Sequence, residues 1–230
     1  MNTITTRAIV ISRRSYGEAD RIITVMTSDR GKVHLMAKGV RRPKSKLASG
    51  IELLSINQIT YISGRSSLAT LTSAKSEQQF AHITSDIDRT MYAYDVLKCV
   101  GTITEDDAGE EYYQLLAQTL EALDDMSLPL TVTSLWFDLA ILSLTGHQPN
   151  LRTDIDGNPL QPDETYVFSF DDMSFARSPA ATDGAALIKL LRLAVASDSP
   201  RLIAKVADVD ELLPQAKNLA STMRKYTLKV

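Results

Sequence analysis

The sequence predicts an α+β chain: a small five-stranded β-barrel followed by an all-helical domain that carries a loop insertion. Three observations predict it. The first 80 residues break into short runs of β-formers joined by turn signals, the hydrophobic period turns helical from Ser85, and the charge changes sign at the same place. Residues 1–80 carry 13 Lys+Arg and 5 Asp+Glu, a net of +8; residues 81–230 carry 12 and 23, a net of −11. At 230 residues, 44% apolar and 23% charged, the chain is long enough for one or two ordinary cores. A basic third and two acidic thirds argue for two domains with different partners, divided as 1–80 and 81–230.

Each barrel strand has a local reason. Ala8–Ser12 and Arg21–Thr27 are apolar and rich in β-branched residues. Ser28-Asp29-Arg30-Gly31 is a turn signal, with Gly31 free to take a positive φ. After it Lys32–Lys38 alternates, with Val33, Leu35 and Ala37 on one face and Lys32, His34, Met36 and Lys38 on the other. Ile51–Ile62 reads as a fourth extended segment and Leu68–Ala74 as a fifth, with the turn Gly64-Arg65-Ser66 between them. Five short strands in 80 residues match an OB-type barrel in size and strand number.

The helices follow in order. Ser85 is the expected N-cap of the first, with Asp86 and Asp88 in its first turn and Ile87, Met91, Tyr94, Leu97 and Cys99 as its apolar stripe. A second spans Ala108–Leu123, with Tyr112, Leu115, Leu116, Thr119 and Leu123 on one side. A third runs from Pro129 to Gly146, the expected C′ residue. Residues 147–182 contain five prolines and glycines and read as an irregular insertion with one strand at Thr165–Ser169. Helix resumes at Ala185–Ala196, after the Ser199-Pro200 cap, and at Asp210–Tyr226, where Pro214 fits only the first turn and Arg224 and Lys225 sit at the negative end.

Several chemistries find no footing. There is no Gly-rich phosphate loop, and His34, His82 and His147 are far apart, so no enzyme is predicted. The pairs Asp106-Asp107, Glu110-Glu111 and Asp124-Asp125 read as helix-terminal charge. Asp154-Ile155-Asp156-Gly157-Asn158 resembles a calcium loop but lacks the bidentate Glu at the required spacing. The single Cys99 excludes an internal disulfide framework and every multi-cysteine zinc site, so neither metal nor cofactor is expected. No apolar run nears the ~20 residues of a membrane span; the richest, Leu135–Leu142, holds Asp138 at its centre. Without the apolar core of a signal peptide at the N-terminus, the expected address is cytoplasmic.

The positive signal is the stretch 30–51, which holds seven Lys and Arg and no acid. Lys38, Arg41, Arg42, Lys44 and Lys46 crowd into nine residues that Gly39 and Pro43 keep irregular, so a mobile loop is expected at the strand's end, fit to follow a phosphate backbone. Arg13, Arg14, Arg21, Lys32 and His34 from the strands extend the patch. Tyr16 could stack on a base; Tyr61 is equally a core residue. This composition predicts backbone-dominated, sequence-tolerant binding to nucleic acid. Two other classes stay open: an RNA-binding barrel of translation or ribosome assembly, and a protein-interaction adaptor whose loop meets an acidic protein.

Tyr16–Thr27, then Gly31-Lys32, then Ala37-Lys38-Gly39-Val40-Arg41-Arg42-Pro43-Lys44-Ser45, resembles the N-terminal signature of the RecO family, and Leu144–Leu151 resembles the family's helix end before its loop insertion. The resemblance implies a mediator of DNA repair and recombination after DNA damage. Such a mediator binds single- and double-stranded DNA, anneals complementary strands and assists RecA loading. RecR and the single-strand DNA-binding protein SSB would be its partners, and the RecA filament an indirect one. Many relatives hold zinc through four cysteines after the Pro-Asn-Leu element. Here Thr153 and Asp156 stand at the first pair and no second pair exists, which implies a loop held by packing on Tyr166, Phe168, Phe170 and Phe175. The family's SSB contact falls on the helical domain, where an acidic tail would need bases such as Arg152, Arg177 or Arg192.

Overall fold

A computed structural model of the chain describes residues 2–64, 67–181, 183–206 and 210–230. They form two compact units, Met1–Asp124 and Asp125–Val230. The change from strand to helix still falls near residue 80, but compactness divides the chain after the second helix.

The first unit opens with β1 (Asn2–Tyr16), β2 (Asp20–Thr27), β3 (Gly31–Ala37), β4 (Ser55–Ser63) and β5 (Leu68–Gln79). These close into a barrel in the order β1-β2-β3-β5-β4. Every pairing is antiparallel except that of β3 with β5, which is parallel. This is the α+β, OB-type start that the sequence predicts. The strands outrun their apolar cores because a backbone ladder continues through polar residues that carry no hydrophobic signal. The fourth starts later than expected: Ala48–Ile51 forms a 3₁₀ turn that carries Ile51 into the barrel. Of the predicted turn Gly64-Arg65-Ser66, Arg65 and Ser66 lie outside the described residues.

Val10, Ile23, Val25, Leu35, Ile59, Tyr61 and Leu71 fill the barrel, and Val40 and Ile51 plug it from the segment after β3. Tyr61 is thus a core residue, 3% exposed, and burial pushes its phenol pKa up. β1 carries a bulge between Val10 and Ser12. The extra residue, Ile11, reverses the alternation: Ala8 and Val10 share the inner face with Val25, while Ser12 pairs with Thr24 and Arg14 with Ile22 on the outer one.

Two helices complete this unit, α1 (Ile87–Ile103) and α2 (Glu110–Asp124). Both pack on β1, and α2 also on β2 and β3. That packing explains why Ile9, Met26 and Ile56 are at most 2% exposed: the apolar run on β1 is buried on both faces. The cap of α1 is Asp86, whose side chain accepts the Arg89 N–H, rather than Ser85. The stripe of α1 is also rotated from expectation. Ala93, Val96, Leu97, Cys99 and Val100 are buried, while Ile87, Met91 and Tyr94 stand 78%, 66% and 45% exposed. Small side chains let the helix lie close to the barrel, and a hydrophobicity count underrates them. On α2 the buried tyrosine is Tyr113, where Tyr112 was expected. Asp124 accepts the His82 N–H at 2.8 Å and the Ile83 N–H at 3.2 Å, so it closes a turn.

The second unit contains α3 (Leu130–Leu144), β6 (Asn150–Asp154), β7 (Tyr166–Ser169), β8 (Ser174–Arg177), α4 (Ala185–Ala196), α5 (Pro200–Ile203) and α6 (Leu213–Leu228). Gly146 ends α3 at φ +78°: its N–H reaches Ser143 O at 3.1 Å and the His147 N–H reaches Leu142 O at 2.8 Å, a Schellman closure. Ser199 caps α5, and Pro214 sits in the first turn of α6. The insertion, expected to be irregular, folds into a three-stranded sheet of order β6-β8-β7. Strands of four or five residues are too short to impose a period on the sequence. Arg224 does not face the solvent at the end of α6. It is 1% exposed and its Nε meets Asp138 Oδ1 at 2.8 Å, Asp138 being fully buried on α3.

Candidate nucleic-acid interface

The outer face of β1, β2 and β3 is laid out in rows by strand register. Ser12, Thr24 and His34 form one row; Arg14, Ile22 and Met36 form the next; Tyr16 and Asp20 end the ladder. Ser12, Arg14, Ile22, Thr24 and His34 line a shallow cleft of about 200 Å³. The β1–β2 turn lies at one end, with Gly17 at φ +56° and Tyr16 exposed at 55%.

The basic segment docks at that same end. Gly39, at φ +64°, donates its N–H to Asp20 Oδ1 at 2.7 Å, and Arg41 donates its own to Ala19 O at 2.9 Å. Further turns close from Arg42 to Gly39 and from Ser45 to Arg42. Val40 is 5% exposed in the barrel core. The mobile loop of the sequence reading is therefore an anchored run of turns, because one apolar residue among the cations and two backbone bonds tie it down. The cations themselves stay outside: Lys38, Arg41, Arg42, Lys44 and Lys46 are all exposed.

The ten predicted contact residues divide by their partners. Among the described residues no ion pair involves Arg14, Arg21, Lys38, Arg41, Arg42, Lys44 or Lys46. Arg21 shares the inner parity with Ala37, at the barrel rim. Arg13, on that parity too, pairs with Glu52 at 2.5 Å. Lys32 is directed elsewhere: its Nζ donates to Gly101 O at 3.4 Å and to Thr104 O, at the negative end of α1. His34 shares a 3.1 Å hydrogen bond with Thr24 Oγ1, and its Nε2 lies 3.5 Å from Asp106 Oδ1. Strand alternation alone could not foresee the commitments of Lys32 and His34, because both partners lie some 70 residues away in the chain.

The second unit holds another cleft, of about 930 Å³, lined by Pro149, Leu151, Arg152, Leu160, Arg192 and Val195 among others. Arg192 Nε donates to Leu151 O at 2.7 Å. Arg177, the third base singled out from the sequence, is bound through two nitrogens by Glu164.

The insertion next to this cleft does not fit a zinc ion. Thr153 and Asp156 occupy the first-pair positions, and among the described residues no group of three or more His, Cys, Asp or Glu could hold a metal. Asp154, 8% exposed, instead spends a carboxylate oxygen on the N–H groups of Asp156 at 3.0 Å and Asn158 at 2.8 Å. That Asx turn, not a calcium site, accounts for the Asp-Gly-Asn sequence. The aromatic anchors do gather: Phe175 meets Phe168 edge-on at 5.1 Å and Tyr166 at 6.2 Å, and Phe170 joins Phe168 and Tyr226.

Comparison with known proteins agrees with this architecture. Residues 1–80 match the family model described as Recombination protein O N terminal, and residues 84–199 match Recombination protein O C terminal. The chain is 33% identical over 156 residues to the DNA repair protein RecO of Heliobacterium modesticaldum, covering 67% of this chain and 56% of that protein. It is 33% identical over 148 residues to the protein of that name from Dehalococcoides mccartyi, covering 64% and 58%. To that of Acetivibrio thermocellus it is 32% identical over 193 residues, covering 83% and 75%. The aligned region thus spans a little over half the length of the first two relatives and three quarters of the third. With both halves matched in order on a closed barrel and a following helical unit, the chain belongs to the RecO family.

Proposed function

We propose that this chain is a non-enzymatic mediator of recombinational repair: it binds single- and double-stranded DNA through the barrel, anneals complementary strands, and assists RecA loading together with RecR. The carrying observation is the set of exposed cations on residues 38–46, none ion-paired among the described residues, docked beside the exposed Tyr16. Cations whose charge is not already met by carboxylates are the ones that can displace counterions from a phosphate backbone. Bringing two polyanions together needs that displacement, and an aromatic platform tolerates any base sequence. The acidic tail of SSB suits the cleft that exposes Arg152 and Arg192 beside Leu151 and Leu160, while Arg177 is occupied by Glu164.

The test is fluorescence anisotropy with labelled single-stranded DNA, duplex DNA and RNA of equal length, followed by strand annealing with and without SSB. The reading expects binding to both DNA forms at low salt and annealing that persists when SSB coats the strands. Preference for RNA would favour the translation or ribosome-assembly class, and negligible binding at about 50 mM salt would favour the adaptor. Among the described residues no helix is long and apolar enough to cross a membrane; action on DNA in the cytoplasmic nucleoid is part of the same proposal.

A further inference from the structure

The face of β1–β3 is not uniformly basic, because an acidic turn is clamped over its far end. Glu105, Asp106 and Asp107 join α1 to α2 and are all exposed, in a turn closed by the Ala108 N–H on Glu105 O at 3.2 Å. Three contacts hold that turn against the barrel. A Cβ on Gly31 would stand 2.6 Å from Asp106 O and 2.7 Å from Ala108 O, so the β2–β3 turn, at φ +66°, touches it backbone to backbone. Lys32 Nζ binds the Thr104 carbonyl just before it. Asp106 itself reaches His34, in the row with Ser12 and Thr24.

We infer that Glu105–Asp107 ends the nucleic-acid track on the barrel: it repels backbone phosphates beyond the Ser12–Thr24–His34 row, so a single strand runs from that row toward residues 38–46. This rests on the DNA-binding reading above and adds an end to the surface. The row lies four residues from the Tyr16–Asp20 row, roughly 13 Å along the strands. Within that length the face passes from the exposed cations of residues 38–46, through Arg14 and the cleft beside it, to the acidic turn whose Asp106 reaches His34. The cleft of about 200 Å³ is the seat of the last phosphate, with Ser12, Arg14 and Thr24 among the residues lining it. Asp106 then competes with that phosphate for His34.

The test compares the unmodified chain with E105Q/D106N/D107N, D106N alone and D88N alone, by anisotropy on an oligothymidine length series at about 50 mM salt. Asp88 lies roughly 20 Å along α1 from the turn and controls for net charge. The triple variant is expected to bind about three- to tenfold more tightly, and to reach its affinity plateau at a longer oligonucleotide, with only a small change in melting temperature because the Asp106–His34 contact is exposed. D106N gives part of that gain and D88N none. Equal affinity and plateau length in the triple variant, or a gain in D88N matching that of D106N, overturns the inference while leaving the DNA-binding reading intact. No binding by the unmodified chain overturns that reading and the inference with it.

Discussion

Alanine at Arg41, Arg42, Lys44 and Lys46 removes four of the five cations on residues 38–46 and leaves Lys38. If each of the five neutralises one phosphate, log K for a single strand falls with log salt at a slope near roughly −3.5, and the variant retains about −0.7. Between about 50 and 200 mM salt the unmodified chain then loses about 100-fold in affinity and the variant only about threefold. Folding should be nearly untouched. All four side chains are exposed and without ion pairs among the described residues, so each substitution stays within about 0.5 kcal/mol. Val40 and the N–H bonds of Gly39 and Arg41, which the substitutions leave in place, hold the segment to the barrel. Anisotropy titrations at four or five salt concentrations read the slope directly, and thermal melts verify the fold. Parallel lines for the two proteins would refute the assignment of this segment to the binding surface, whatever their vertical offset.

Three further outcomes follow from the second unit. Replacing Arg224 with Met strands the carboxylate of Asp138, fully buried on α3, without this partner and should cost about 3–5 kcal/mol in denaturant unfolding; pairing it with Asp138→Leu should recover much of the loss. Phe175→Ala should cost about 3–5 kcal/mol, since the ring is fully buried between Tyr166 and Phe168, whereas a metal chelator should leave the melting temperature of the unmodified chain where it was. Asp183 has its pKa raised above the ordinary carboxylate value by burial, opposed by the hydrogen bond from Gln215. Its folded state thus holds the proton more tightly than the unfolded chain, and this contribution is lost as pH rises through the folded pKa. Asp183→Asn should accordingly raise the melting temperature at neutral pH, and the gain should vanish below about pH 4; a constant gain across that range would argue against the titration.

Much of the basic end of the barrel was legible in the chain because it is local. Gly31 marks a positive-φ turn, Gly39 interrupts regular structure, Lys38 to Lys46 cluster within nine residues, and the alternation of β3 assigns its faces. Arg14 is a different case. Whether it faced the core or the solvent hung on the bulge at Ile11, which no property of Ile11 itself announces. The engagement of Lys32 with the end of α1, and of His34 with Asp106, needed the helices to be placed first. In the second unit Asp138 was visible as a charge inside an apolar run, yet its partner sat 86 residues on in what reads as an ordinary helix-terminal arginine.

By itself the sequence determined the order of elements outside the insertion, the barrel class, the family and the existence of a dense cationic segment, since each is written in residues near one another along the chain. Tertiary structure alone decided which of those cations remain available, which face of α1 is buried, and where carboxylates bound the basic surface. The physical reason is that a charge acts through space and is met by whatever folding brings within a few ångströms, and that partner is set by the packing of distant segments rather than by neighbours in the chain.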